Sequence, residues 1–281
     1  MTAVREVPPE VAAPRCGLLL RVLPPGLYVG RARMLILRSS MASRSAWMAI
    51  FSGFFEPLFF LVAMGQGLGS LVGTVPGPAG QPLSYAAFIA PGLLAASAMN
   101  GAVYDSTYSF FLKLKHAKLY DAMLATPLGP VDIVLGEIGW ALIRGGMYAT
   151  GFLAVMLALG LLSSPWALLA LPAALFVAFA FASIGIAATS FMRSWQDFDL
   201  VQLAVLPMFL FSATFFPLSV YPSALQWLVQ VFPLYHAVAL MRGLTTGVVG
   251  WSMLGNLAYF VVMAALGVVV SSRRLKSLLL Q

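Results

Sequence analysis

Long apolar stretches with almost no charge recur along this chain, and they decide which solvent it folds in. The run 153–162 contains no polar side chain at all. A helix that crosses a bilayer needs about 20 predominantly apolar residues. Inside hydrocarbon the backbone finds no water, so a spanning segment is either a helix or a strand of a closed barrel. These runs lack the apolar and polar alternation of a barrel strand, which leaves an all-α integral membrane protein. Composition agrees: 61% of the 281 residues are hydrophobic and 9% are charged, against about 25% charged in a soluble domain.

Six spans are predicted, at about 46–68, 86–110, 138–161, 168–190, 200–217 and 251–271. They make one transmembrane domain, 46–271, between a cytoplasmic N-terminal segment, 1–45, and a short cytoplasmic tail, 272–281. Basic residues cluster at 5–44, 113–118 and 273–276. Lys and Arg flank spans on the cytoplasmic side, so both termini, the 113–130 connection and the 193–199 connection are predicted to be cytoplasmic. The Gly- and Pro-rich linker 71–83 and the turn 163–165 fall outside. The same distribution accounts for the net charge of +7 without a nucleic-acid partner. No cleaved targeting segment is predicted, because Arg21, Pro24 and Pro25 interrupt the only early apolar stretch. The single cysteine, Cys16, has no partner within the chain.

Two segments do not read as plain spans. Pro233 divides 222–247 into pieces of about ten residues, a length that suits re-entrant helices. A short pair, 223–232 and 234–243, is predicted to dip into the outer leaflet, with Gln226, Gln230, His236 and Arg242 facing headgroups or each other. The second segment is 25–44, where an interfacial helix with Arg31 and Arg38 on one line is expected.

No Gly-x-x-x-x-Gly-Lys-Ser/Thr loop occurs, so no ATP hydrolysis is expected on this chain. His116 and His236, the only histidines, fall on opposite sides of the membrane in this topology, and no metal site is expected. Gly-x-Ser-x-Gly and His-Glu-x-x-His strings are absent as well. Intramembrane charge is where function is sought first. Glu56 precedes Pro57 in the first span and reads either as a carboxyl packed at a kink or as a substrate contact. Asp105 and Arg144 lie at matching depth, about 10–12 Å from their helix ends at ~1.5 Å per residue, and are predicted to form a structural ion pair. The cytoplasmic run 113–130 reads K-L-K-H-A-K-L-Y-D-A-M-L-A-T-P-L-G-P. Pro127 ends a short helix and Pro130 starts the next, so a helix is held crosswise between two spans. It is either a basic loop at the headgroups or a docking surface for a cytoplasmic subunit, and the apolar Leu119, Tyr120, Met123 and Leu124 favour docking.

Several strings then carry a resemblance. Glu56 to Leu61 reads E-P-L-F-F-L, 65–69 reads G-Q-G-L-G, 85–93 reads Y-A-A-F-I-A-P-G-L, 124–128 reads L-A-T-P-L, 212–218 reads S-A-T-F-F-P-L and 233–236 reads P-L-Y-H. In this order they resemble the ABC type-2 exporter permeases, particularly the nodulation protein J branch. The resemblance runs from Trp47 to Gly247 and implies a homodimer of six-span subunits in a bacterial cytoplasmic membrane. It implies two copies of a separate ATPase, with ATP and Mg on that partner and no cofactor on this chain. The coupling helix maps onto Lys113, Lys115, His116, Lys118, Leu119, Tyr120, Asp121, Met123, Leu124 and Thr126, and the re-entrant pair onto an extracellular gate. Substrates of such permeases are lipo-oligosaccharides, polysaccharide precursors or hydrophobic drugs.

An apolar, aromatic path between protomers would draw on Glu56, Phe55, Phe59, Met208, Phe211 and Phe215, with Phe54, Phe209 and Phe216 beside them. Aromatic stripes of this kind also serve plain helix packing. Two other classes stand beside the exporter. A membrane-embedded enzyme would use Glu56 or Asp105 as acid or base, and a non-transporting scaffold would leave the 113–126 helix without a purpose.

Overall fold

The computed structural model describes residues 29–43, 47–125 and 128–279. The described residues are helical almost throughout, and among them five helices are long and apolar enough to cross a membrane, or six if one bent pair counts as a span. A first helix, α1 (Val29–Ser43), lies across the outside of α6 (Pro130–Ala158). Glycine makes that crossing possible: a Cβ at Gly136 would stand 2.7 Å from the Cβ of Leu35. The expected interfacial segment is therefore a helix from Val29, docked on the bundle; residues 25–28 and 44 lie outside the described residues.

Next, α2 (Trp47–Val62) passes through Pro57 as one helix, widens into a π-helical turn at Ala63–Leu68 and ends with α3 (Gly69–Val72). The linker expected to be irregular contains a small antiparallel hairpin, β1 (Thr74–Pro76) with β2 (Pro82–Ser84), in which Val75 faces Leu83. Ser84 then caps α4 (Tyr85–Tyr104) by accepting the Ala87 N–H. This helix is the hub of the bundle. It is rich in Ala, Gly and Ser, small side chains that let helices approach closely in a membrane, and every residue from Phe88 to Met99 is buried.

Beyond α4 come two π-helical turns, Asp105–Ser109 and Leu112–His116, then the short α5 (Leu119–Leu124) and the long α6. A 3-10 turn at Pro165–Leu169 leads into α7 (Ala170–Thr189), which packs on α4, α6 and α11 (Ser252–Leu279). Between α7 and α11 lie α8 (Asp197–Leu210), α9 (Ser223–Val231) and α10 (Pro233–Thr246).

The expected fifth span, 200–217, needs correction. The helix α8 has 14 residues, about 21 Å at ~1.5 Å per residue, and 211–217 is not helical. Pro207 removes one backbone donor inside α8. At Ala213 the backbone then turns into the left-handed region, φ +54°, where a non-glycine residue is uncommon. Carbonyls freed in an apolar environment must find donors. Arg242 supplies them: its Nη2 donates to Ala213 O at 2.9 Å and Thr214 O at 3.4 Å, and its Nε donates to Phe88 O at 3.2 Å. The guanidinium also lies 3.9 Å from the centroid of the Phe88 ring. Arg242 was expected to face the headgroups or Gln226, Gln230 and His236; it is instead a buried pin joining α10, α4 and the unwound segment.

The break at Pro233 is where the sequence places it, and α9 and α10 meet there at 87°. His236 does not face Arg242; its Nδ1 is 2.8 Å from Asn256 Oδ1 and its ring stacks on Tyr259 at 4.3 Å, tying the bend to α11.

Candidate functional site: the basic end of the bundle

Two of the basic clusters and Arg193 meet at one end of the bundle. The Phe111 ring stands 5.4 Å from that of Trp195, which joins the end of α4 to the turn before α8. Arg274, on α11, sits 4.9 Å over the Phe191 ring at the end of α7. Lys113 to Lys118, Arg193 and Arg273 to Lys276 thus gather together. The turn at 163–165 is at the other end, where the Ser163 N–H donates to Thr245 O at 3.1 Å.

The segment 112–125 lies at this basic end. Lys118 interrupts it with a left-handed backbone, φ 43°, so α5 is a separate short helix and does not continue the π-helical turn before it. Lys115, Lys118 and Ala122 are exposed, and Leu119 is half-buried. Tyr120, expected to face the cytoplasm, does the opposite. It is fully buried, its ring 5.2 Å from that of Phe110. Met123 is buried as well. The short helix thus points its aromatic side chain inward, onto the Phe110 ring. Lys113 also faces inward: its Nζ is 2.6 Å from Glu137 Oε2 on α6, with 20% and 5% of the two side chains exposed. Thr126 and the side chains of His116, Asp121 and Leu124 lie outside the described residues.

The pair of Lys113 and Glu137 escaped the sequence reading. The signal was available, since both residues mark the membrane boundary at which α4 ends and α6 begins, and opposite charges at equal depth attract.

About two turns deeper, Asp105 Oδ1 is 2.8 Å from Arg144 Nη1, with side chains 3% and 14% exposed. The contact is a close ion pair rather than an aligned hydrogen bond, as neither Asp105 oxygen meets hydrogen-bond geometry. Asp105 opens the π-helical turn that closes at Ser109. Such turns are frequent at functional sites. Here the turn is held on a second side by α7, where the Thr189 hydroxyl donates to Ser106 O at 3.1 Å. Gly185 leaves the room that the Ser106 side chain occupies. The segment leading from the basic end into the bundle is therefore fixed to α6 by charge and to α7 by a hydrogen bond.

The aromatic residues divide in two. Phe59 is 66% exposed and stacks on Phe55 at 5.8 Å, and Glu56 beside them is exposed. Glu56, read either as a carboxyl packed at a kink or as a substrate contact, thus lies on the outer surface of the protomer. Phe211 and Phe216 are exposed too. Met208 and Phe215 are buried, however, and Phe215 packs within a cluster with Phe60 and Phe209 at 6.1 and 5.3 Å. These two belong to the interior of the protomer and not to its surface. The side chain of Phe54 lies outside the described residues.

The helices thus form an apolar bundle with a basic segment at one end and a bent helix pair before the last long helix. The family model for ABC-2 type transporters matches residues 31–246, more than half of the chain, and the chain belongs to that family. Among similar proteins, Nodulation protein J of Rhizobium leguminosarum bv. viciae is 34% identical over 200 residues, covering 71% of this chain and 75% of the relative. Nodulation protein J of Rhizobium leguminosarum bv. trifolii is 36% identical over 193 residues, 68% and 72% of the two chains. Inner membrane transport permease YadH of Escherichia coli K12 is 27% identical over 189 residues, 66% and 70%.

Proposed function

We propose that this chain is the membrane-spanning subunit of an ATP-driven exporter that works as a homodimer with two copies of a separate cytoplasmic ATPase. The basic end faces the cytoplasm of a bacterial cell, in the cytoplasmic membrane, and both termini lie on that side. The observation that carries this reading is the basic segment 112–125. Its outer surface, Lys115, Lys118 and Ala122, is exposed to a partner, while Tyr120 under Phe110 and Lys113 on Glu137 hold its inner surface to the helical run that follows α4 and to α6. A push on the outer surface is passed into the bundle, because the contacts behind it are packed and charged. A topogenic loop has no need of such anchoring.

The movement would then reach α4 through the π-helical turn at Asp105–Ser109. The exposed aromatic surface of α2 and the unwound end of α8 would form the wall of a path between protomers, with Phe55, Phe59, Phe211 and Phe216 on it. Such a wall suits an amphipathic or lipid-linked molecule better than a free polyanion, which would have to shed its hydration against apolar rings. The pair α9 and α10, bent by 87°, acts as a re-entrant gate at the far end of that path.

The test replaces the outer surface alone. Lys118→Glu with Ala122→Glu changes two exposed side chains and should leave expression and thermal unfolding as in the wild type. Pull-down of the ATPase should fail, and ATP hydrolysis by the complex in lipid should lose its stimulation. Hotspot residues at such interfaces carry about 2 kcal/mol or more each. Unchanged binding and hydrolysis in the double variant would remove the coupling role from this segment.

A further inference from the structure

A cavity of about 800 Å³ lies between α8 and the body of the bundle, within the ~300–1,000 Å³ typical of small-molecule sites. It follows α8 from Asp197 to Met208, about 16 Å at ~1.5 Å per residue. That length is close to one leaflet, half of a ~30 Å hydrocarbon core. Its walls are apolar: Ile184 and Phe181 on α7, Val201 and Val205 on α8, Met263 on α11. Thr107, also in the wall, spends its hydroxyl on Val103 O at 2.6 Å.

Polarity is confined to one mouth, at the basic end, where Arg193, Ser194 and Asp197 line it. Asp197 is directed at the turn itself: its Oδ2 accepts the backbone N–H groups of Arg193 at 2.6 Å and Ser194 at 3.1 Å. The Arg193 guanidinium, exposed, has no carboxylate within ion-pair distance among the described residues. Neither has Arg274, which sits over Phe191, another residue of the mouth. Two arginines that form no ion pair among the described residues, Arg193 in the lining and Arg274 over Phe191, therefore stand at the polar end of an apolar slot one leaflet long. The slot also opens sideways, since Ile184 on one lip and Leu200 on the other are 37% and 65% exposed.

We infer that this cleft binds a membrane phospholipid from the leaflet at the basic end, one acyl chain along α8 and the phosphate between Arg193 and Arg274. Guanidinium groups recognise phosphate oxygens through paired N–H donors. The apolar wall receives the chain without leaving a polar group unpaired, and the sideways opening admits it from the bilayer. The bound chain fills the gap that separates α8 from α7 and so supports a helix too short to span by itself. This site does not depend on what the protein exports.

Native mass spectrometry of the full-length chain, purified in detergent and delipidated, tests the inference with two probes. Dipalmitoyl phosphatidylglycerol carries the phosphate, and dipalmitoylglycerol has the same chains without it. The wild type should retain one phosphatidylglycerol per chain, at least about tenfold tighter than dipalmitoylglycerol, a difference that corresponds to about 1.4 kcal/mol. Arg193→Gln with Arg274→Gln should remove that preference while leaving dipalmitoylglycerol binding as it was. Ala204→Trp, which fills the slot from α8, should reduce retention of both probes. The arginine variant changes exposed side chains only, so it remains informative if the tryptophan variant does not fold. Equal retention of the two probes by the wild type, or phosphatidylglycerol retention unchanged in the arginine variant, would overturn the site. So would a disulfide between copies formed by Ala204→Cys in a Cys16→Ser chain, since a second copy would then occupy the opening.

Discussion

Two spans of nearly equal mean hydropathy have opposite fates in this fold. In the span Tyr85–Lys115, which contains α4, 78% of the most apolar window is buried inside the protomer; in Phe55–Val72, which contains the end of α2, the share is 11%. Hydropathy therefore assigns both to the membrane and says nothing about which becomes the core. Side-chain size separates them. The α4 face offers Ala90, Gly92, Ala95, Ala96 and Ala98, which let neighbouring helices close on it, while α2 turns only part of its surface inward, Phe60 toward Phe209 and Phe215, and leaves Phe59 outside. The buried hub carries stability, and the exposed span leaves aromatic rings on the outer surface of the protomer.

The largest test of this contrast is the charge pair on the buried side. Asp105→Leu or Arg144→Leu alone leaves an uncompensated charge in the bundle and should destabilise by about 3–5 kcal/mol. The double variant should recover most of that loss, as read from thermal unfolding in detergent. A double variant as unstable as the sum of the singles would mean that the 2.8 Å contact contributes no coupling.

Glycine gives a second, smaller test. A Cβ at Gly92 of α4 would stand 2.8 Å from Thr214 Cγ2 and 3.2 Å from Thr214 Cα, whereas one at Gly67 would meet nothing within 4 Å. Gly92→Leu should cost about 1–3 kcal/mol through overpacking, and Gly67→Leu should leave the unfolding temperature unchanged. Equal effects at the two positions would erase the distinction between hub and surface.

The smallest effect concerns charge at the exposed end. The N–H groups of Arg193 and then Ser194 hold the Asp197 carboxyl below its usual range. A depressed folded value contributes stability above the unfolded value of about 3.9, and that contribution is lost as pH falls through the lower folded value. The difference in unfolding temperature between wild type and Asp197→Asn should thus be present at neutral pH and shrink below about pH 4. A difference that does not change with pH would assign the effect to the shape of the turn.

Much of this fold is legible in the sequence because membrane insertion depends on few variables. Apolar runs, basic clusters and prolines place the spans around α4, α6, α7 and α11, the basic segment after α4 and the break at Pro233. The ion pair of Asp105 and Arg144 is legible from depth alone. Orientation on a short helix is not: Leu119, Tyr120 and Met123 read as one apolar set, and only the Phe110 ring behind Tyr120 decides that it faces inward. The end of α8 is hidden as well, since 211–217 is as apolar as a helix would be. What unwinds it is a distant donor, Arg242, which makes unpaired carbonyls affordable there. The π-helical turns leave no local pattern in the residues.

The central claim is that the exposed surfaces of this chain serve a partner ATPase and a second copy of itself. Native mass spectrometry of the complex, drawn by an affinity tag on this chain from its own membrane in mild detergent, measures that directly. The account predicts one assembly containing two copies of the 30.0 kDa chain and two copies of a soluble ATP-binding protein. A single copy that carries lipid but no ATP-binding partner would contradict it.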